Sequence, residues 1–284
     1  METIRSLENI SYSSIFLSFK DAFEDYEMQL TKDELLTMLT RRGFVPELSF
    51  GAFEDGKLVA FTLNGIGYFN NIKTAYDTGT GTTKEFRGRG IASRIFLHSI
   101  PFLKKAKVEQ YLLEVLQHNT KAHSIYSKLG FTESREFNYF VQKNENIKIN
   151  SPALHSEYQI KSFDIEQIKS LNNFFDFVPS WQNSFESTSR RLNDFMIIGV
   201  CDAEKIIGYC IFEPKSGDIT QIAVDKRYRR QGIAANLIKE ILKFNLNDSV
   251  KVINTEPGCK SITGFLKSIS IPLAGKQFEM IKRL

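Results

Sequence analysis

Apolar and polar positions along this chain fall into a pattern that comes round twice. In the first half, SSIFLSFKDAF (13–23) and KDELLTMLTRR (32–42) space their apolar residues for one helix face each. GAFEDGKLVAFTL (51–63) predicts a β-hairpin, two β-rich runs about a polar turn. TAYDTGTGT (74–82) predicts a strand, IASRIFLHSIPFLKKA (91–106) a helix and YLLEVL (111–116) another strand. Ala122, Ile125, Tyr126 and Leu129 then share one helix face, with Gly130 placed to end it. In the second half, IEQIKSLNNFFDF (165–177) and a segment around Ser187–Leu192 predict helices. IGVCDAEKIIGYCIF (198–212) predicts a hairpin, DITQIAV (218–224) a strand, IAANLIKEILKF (233–244) a helix, and Ser261–Ser268 a last helix.

The two halves are copies. Arg87-Gly-Arg-Gly90-Ile-Ala92 recurs as Arg229-Arg-Gln-Gly232-Ile-Ala234 at a constant offset (229 − 87 = 142), with an aromatic, Phe86 or Tyr228, before each. The hairpins align at a larger offset (205 − 57 = 148), so the first copy is longer by 148 − 142 = 6 residues between hairpin and glycine loop. That length includes Gly65, Gly67, Asn70 and Asn71 and predicts a longer hairpin tip. Two copies of this size predict tandem domains, 1–142 and 157–284, joined by the polar, Pro152-containing segment 143–156. In each, one or two helices, three strands, a helix, a strand, a helix and a strand follow in turn. That order predicts an α/β fold, of mixed α+β type, with a mostly antiparallel sheet and helices on both faces.

A strand running through R-x-x-G-x-A into a helix is suited to an anion. Glycine lets the backbone approach closely, the helix start offers unpaired N–H groups, and nearby arginines can pair with phosphate oxygens. One such loop is weak evidence; two in the same strand–loop–helix context point to a ligand. The loop is neither G-x-x-x-x-G-K-[ST] nor G-x-G-x-x-G, which disfavours nucleoside triphosphatase and dinucleotide sites.

The bulk numbers narrow the rest. A length of 284 residues, 42% hydrophobic and 25% charged, fits two globular domains. A net charge of +4 with scattered basic residues lacks the basic stripe of a nucleic-acid binder. Cys201, Cys210 and Cys259 are odd in number and lack C-x-x-C spacing, so small buried hydrophobes are expected instead of disulfides or a zinc site. His98, His118, His123 and His155 show no metal-ligand spacing, and no metal is expected. The N-terminal METIRSLENISYSS lacks a signal-peptide pattern and no apolar run reaches a membrane span, so a cytoplasmic protein without membrane association is expected.

The R-x-x-G-x-A loop followed by Asn119-x-x-Ala122-x-x-x-Tyr126-x-x-x-Gly130-Phe131 resembles the GNAT superfamily of N-acetyltransferases, fully in the first copy and in part in the second. The resemblance implies an acetyl-CoA-dependent N-acetyltransferase acting on a primary amine of a small molecule or peptide. It implies that Thr74–Thr82 and Tyr111–Leu116 splay to admit the pantetheine arm. Thr80 and Thr82 would bond its amides, and Arg87, Gly88, Arg89, Gly90, Ile91 and Ala92 would hold the pyrophosphate. Asn119 would lie near the thiol, Tyr126 would protonate the departing thiolate, and Glu114 would take the proton of the acceptor ammonium, directly or through water. Asp77 and Tyr76 are rival bases, and Asp25-Tyr26 with Arg41-Arg42-Gly43 are candidates for the acceptor pocket. In the second copy Val224, Arg229, Arg230, Gln231, Gly232, Ile233 and Ala234 keep the loop, but no tyrosine follows Tyr228, and Phe265 or Leu266 falls where Tyr126 would. The alternatives are catalysis in the second copy, or a non-catalytic acyl-CoA sensor or interaction protein.

Overall fold

The computed structural model describes residues 2–25 and 29–284. The chain divides into two compact units, Met1–Ser134 with Phe278–Leu284, and Arg135–Gln277. In the first unit β1 (Thr3–Ser6), β2 (Phe50–Glu54), β3 (Lys57–Phe69), β4 (Ile72–Thr82) and β5 (Gln110–Leu116) neighbour one another in that order. β1 to β4 are antiparallel and β4 runs parallel to β5. The helices are α1 (Tyr12–Ala22), α2 (Lys32–Arg41), α3 (Ile91–Lys105) and α4 (Thr120–Lys128).

Alternation along β3 sorts the helices onto two faces. Phe61 and Leu63 pack with Ile15, Phe19, Leu35 and Leu39 of α1 and α2. Ala60, one residue before Phe61, turns the other way toward Ile91 and Ile95 of α3. Local signals agree: Ser11 caps α1, and Thr31 with Glu34 forms a capping box on α2. The extra length of the first hairpin is a longer strand pair. Gly65 and Gly67 lie within β3, and the tip is Asn70–Asn71, both at positive φ.

The second unit repeats the plan. β6 (Thr132–Lys143), of which Arg135 onward belongs here, pairs with β11 (Ser249–Thr255). β10 (Asp218–Val224), β9 (Lys205–Glu213), β8 (Met196–Asp202) and β7 (Tyr158–Ser162) follow. β10 and β11 are parallel; the other pairs are antiparallel. Ile198, Val200, Cys210 and Phe212 meet α7 (Ile233–Leu242) and α8 (Lys260–Ser268). Ile197, Tyr209 and Ile211 face α5 (Ile165–Lys169) and Phe174. A five-residue helix, α6 (Phe185–Ser189), begins on its Ser184 cap, earlier than the expected Ser187.

Four features differ from the expectations. Each unit is a copy with its last strand replaced: Phe278–Leu284, the end of β12 (Leu273–Arg283), belongs to the first unit, and Arg135 onward to the second. Segment 143–156 is not a free connector, because Ile147, Ile149 and Leu154 pack on the second core. The helix expected over 165–177 stops at Lys169, which lets adjacent Phe174 and Phe175 both reach the Tyr209 ring, at 6.3 and 6.5 Å between centroids. Consecutive helical residues diverge by about 100° and could not do this. Cys201 and Cys210 are buried, but Cys259 is partly exposed at the start of α8.

Both units carry the same irregularity. Between β3 and β4, Leu63 faces Gly79 and Asn64 faces Asp77, so Thr78 is an extra, bulged residue. Between β9 and β10, Ile211 faces Gln221 and Phe212 faces Ile219, so Thr220 is its counterpart. Past the bulges the parallel pairs part. β4 holds β5 through Thr74–Tyr76 with Gln110–Leu112, and β10 holds β11 at Asp218 with Lys251.

Met280 is buried in the first-unit cluster of Phe96, Leu103, Tyr111, Leu113 and Phe131. Met280→Ala is expected to destabilise that unit by about 2–5 kcal/mol, the usual range for emptying such a site. Hydrogen exchange of the β5 amides checks this. In the second unit, Asp225 accepts from Arg227 N (3.0 Å) and Nη2 (2.7 Å) and lies 3.4 Å from Lys205 Nζ. The Arg227 bonds hold its carboxyl well below the usual range, against the opposing effect of burial. The folded value is the lower one, so this stabilisation is present above the unfolded pKa of about 3.9 and is lost as pH falls. Asp225→Asn is expected to lower Tm at pH 7, with the gap from wild type closing below pH 4 in thermal melts.

Candidate active site

In the first unit the glycine loop leaves β4 at Thr82 and enters α3 at Ile91. Gly88 and Gly90 have φ of +79° and +68°. In the second, the equivalent positions are Arg230 (+67°) and Gly232 (+79°). A left-handed arginine costs about 1–2 kcal/mol, so the loop shape is kept in the second unit even without glycine. α1, α2, α4 and α6 each receive a side-chain cap, whereas α3 and α7 start on Gly90 and Gly232 with none. Their first-turn N–H groups point out of a left-handed turn, which is the arrangement that receives an anion.

The first arginine of each loop is bonded to acceptors of the protein itself. Arg87 donates to Thr82 O (3.3 Å), Ala22 O (3.1 Å) and Asp25 Oδ2 (2.6 Å). Arg229 donates to Val224 O (3.1 Å) and Phe174 O (3.4 Å), and pairs with Asp176 at 3.0 Å. Each guanidinium ties the loop to its preceding strand and to the segment over that strand. The Arg87 bond, with the Lys84 charge, holds Asp25 below the usual carboxylate range. Burial alone would raise Asp176, but the bonds from Ser261 and Arg229 outweigh it and hold this carboxyl low. Asp25 is thereby engaged in the brace, and Tyr26, its companion in the expected acceptor pocket, lies outside the described residues. Arg89 donates to Glu85 O (3.0 Å) and stacks over Phe86.

Beyond Tyr76 the splay of β4 from β5 is lined by a polar set. Tyr126 of α4 donates to Asp77 Oδ2 at 3.0 Å, Thr80 Oγ1 donates to the same oxygen at 2.8 Å, and Gly79 N–H donates to Oδ1 at 2.9 Å. Burial still raises the Asp77 carboxyl above its ordinary value, against these three bonds and the Arg42 charge. Tyr76 donates to Glu114 Oε2 at 2.5 Å, and burial, reinforced by the Glu114 charge, raises its phenol. Tyr111 donates to Asn64 Oδ1, and Asn64 Nδ2 donates to Leu48 O. Arg42 reaches in from the end of α2 to donate to Thr78 O (3.1 Å). Of the residues expected from the sequence, Glu114, Tyr126 and Thr80 meet at this splay. Asn119 caps α4, its Oδ1 accepting from Ala122 N (3.1 Å). The Tyr126–Asp77 bond was not legible; its one signal is the alternation on β4, which puts Asp77 on the face opposite Tyr76.

The bulges allow the second unit to be aligned by geometry. Asn64 and Asp77 correspond to Phe212 and Ile219. Glu114, two residues past Leu112, corresponds to Ile253, two past Lys251. Phe131 N bonds Tyr126 O as Ile271 N bonds Leu266 O, so Leu266, fully buried, stands for Tyr126. Four polar groups of the first splay thus become four apolar ones. The second unit instead holds a cavity of about 450 Å³, lined by the loop (Arg229, Arg230, Gly232), by β10 (Gln221, Val224) and by Phe265 of α8. Val224, Ile233 and Ala234 also line it, while Gln231 lies aside, accepting from Tyr158 Oη at 3.2 Å. Among the described residues no group of three His, Cys, Asp or Glu is placed to hold a metal ion, and no helix is long and apolar enough to cross a membrane.

Comparison with known proteins matches this architecture. The chain is 30% identical over 119 residues to N-alpha-acetyltransferase MAK3 of Arabidopsis thaliana, covering 40% of this chain and 63% of that relative. It is 28% identical over 141 residues to N-alpha-acetyltransferase 30 of Dictyostelium discoideum, covering 47% of this chain and 76% of that one. The solved tandem GNAT protein from the clavulanic acid biosynthesis pathway has the same fold over 100% of this chain and 98% of its own, with a TM-score of 0.74 at 11% identity. A GCN5-related N-acetyltransferase from Sphaerobacter thermophilus covers 99% of this chain and 95% of its own, with a TM-score of 0.72 at 14% identity. The family model for the acetyltransferase (GNAT) family matches residues 8–131 and again 156–257. With that match in both copies, the chain belongs to the acetyltransferase (GNAT) family, as two tandem domains.

Proposed function

We propose that this protein transfers the acetyl group of acetyl-CoA to a primary amine, with the chemistry in the first unit. The observation that carries this reading is the polar set Tyr126–Asp77 and Tyr76–Glu114 at the first splay, each member of which except Tyr76 has an apolar counterpart in the second unit. The uncapped start of α3 behind two left-handed glycines fits a pyrophosphate, and the splay fits a narrow arm. Acetyl-CoA supplies the acyl group as a thioester. The chain's own groups do the rest. Arg87–Ala92 backbone N–H groups hold the phosphates, and Thr80 and Thr82 orient the arm. Glu114 takes a proton from the ammonium of the acceptor, Tyr126 gives one to the sulfur, and backbone N–H groups of β4 beyond the bulge stabilise negative charge on the carbonyl oxygen. The names of the two relatives favour a peptide α-amine as the acceptor class.

The cavity around Gly232 supports a second ligand-holding role for the second unit, binding coenzyme A or its thioester without an acid or base to turn it over.

Thiol release from acetyl-CoA, measured against a panel of peptides with free α-amines and small amines, tests the reading. Tyr126→Phe keeps the ring that packs edge-on to Phe131 and removes the hydroxyl. Turnover is expected to fall by roughly 10²–10⁴-fold with little change in acetyl-CoA affinity. Full activity in this variant would move the chemistry out of the first unit. Gly90→Glu is expected to abolish acetyl-CoA binding at the first unit while leaving the second, giving a loss of one site by calorimetry; unchanged stoichiometry would contradict the loop assignment.

A further inference from the structure

We propose that Asp77 and Tyr126 act as a two-membered proton donor to the departing sulfur, while Glu114 serves the amine from the opposite face of the sheet. This rests on the first-unit reading above and adds to it a division of protons between two carboxylates.

The proton balance gives such a division a use. An ammonium that becomes an amide loses two protons, and the sulfur gains one. Separate groups for the amine and the sulfur let the donor stay protonated while the base stays ionised. The first splay holds two carboxylates on separate partners. Tyr76 and Asp77 are consecutive on β4 and therefore point to opposite faces. Glu114 is bonded to Tyr76, at 2.5 Å; Asp77 is bonded to Tyr126, at 3.0 Å. Glu114 is thus aligned with the α1–α2 face, and Asp77 with the face that carries α4.

The direction of the Tyr126–Asp77 bond decides when the pair is competent. With Asp77 ionised, the phenol proton is held by Oδ2 and is not free for a sulfur in the splay. With Asp77 protonated, its O–H can donate to Tyr126 Oη, and the phenol proton turns outward. As the C–S bond breaks, its electron pair goes to sulfur. Sulfur takes the proton of Tyr126 Oη, Tyr126 takes the proton of Asp77 Oδ2, and Asp77 is left as a carboxylate. Solvent water returns a proton to Asp77 and removes those collected by Glu114. One proton is released overall. Asp77 acts only through Tyr126 and is a positioning and reprotonating group.

The surroundings bear on when Asp77 is protonated. The groups facing it are Tyr126 from α4, Tyr111 from β5, Arg42 from the end of α2, Thr80 and the Gly79 N–H from β4, with Tyr76 and its partner Glu114 across the strand. Arg42, Thr80, Tyr126 and Gly79 all favour the carboxylate, and burial outweighs them.

Two measurements test the pair. In protein labelled with ¹³C at aspartate carboxyls, the resonance missing from Asp77→Asn is expected to titrate above the ordinary value of about 3.9. It is expected to titrate higher still in Tyr126→Phe, because a bond favouring the carboxylate is lost. Titration at or below the ordinary value, or no response to Tyr126→Phe, would overturn the proposal. In steady-state turnover with a peptide α-amine, kcat is expected to fall on the alkaline side as Asp77 ionises. Asp77→Asn should remove that limb and lower the plateau by roughly 10²-fold, the low end for proton-transfer catalysis, with the acetyl-CoA KM within about twofold. Thr80→Val, which removes a bond to Oδ2, should move the limb to higher pH and stands in should Asp77→Asn misfold. Transfer with superimposable pH profiles would overturn the relay alone. No transfer to any amine by the wild type would overturn the first-unit reading and the relay with it.

Discussion

The β-bulge at Thr78 is the constraint on which the first unit turns. One extra residue in β4 twists that strand away from β5, so that the parallel pairing stops at Tyr76 and Leu112. A parted strand pair leaves backbone groups and side chains at a buried edge without a ladder, and each must find another partner. Arg42 takes the carbonyl of Thr78 itself, and Thr78 Oγ1 donates to Leu63 O. Tyr111 donates to Asn64, and Tyr126 donates to Asp77. The polar set at the splay is therefore also the means by which the opened sheet remains satisfied.

The second unit meets the same constraint differently. Its bulge at Thr220 parts β10 from β11, but Phe212, Ile219, Ile253 and Leu266 occupy the corresponding places. The gap is bridged by Asn183, whose Nδ2 donates to Ile253 O while its own carbonyl accepts from Gln221 Nε2. Tyr209 in turn donates to Gln221. Amides and a phenol satisfy the backbone there, and the nearby carboxylate, Asp218 at the end of the parallel pairing, accepts from Thr220 Oγ1. The divergence between copies lies in which side chains close the opened sheet, while the opening and the glycine loop persist.

The loops show how one shape, shared by both copies, is held by side chains bonded to the protein around it. Arg87 and Arg229 each bond the carbonyl that ends the preceding strand and a carboxylate on the segment above it. Such charge-assisted bonds fix the entry of the chain into the left-handed turn, so that the backbone N–H groups are presented in one orientation. An arginine in a phosphate-loop pattern reads naturally as an anion ligand from sequence; its bonds to the preceding strand also hold the loop.

Much of this was legible in the sequence because it is local. Periodicity located nearly all strands and helices, the repeated R-x-x-G-x-A placed both loops, and Gly130 ended α4 as its position suggested. Glu114 and Tyr126 were selected by their place in a motif and do lie at one splay. The shortened α5 escaped because apolar Leu171, Phe174 and Phe175 read equally as a helix face or as separate anchors. The pairing of Tyr126 with Asp77, across 49 residues of chain, depends on a bulge that no residue pattern announces. The division of the last strands was equally hidden. TESREFNYFVQK and LAGKQFEMIKR both alternate and either could close a sheet, so local preference cannot choose between them. That choice is made by which slot buries Phe140 and which buries Met280, a property of the packed cores that does not exist until the sheets have formed.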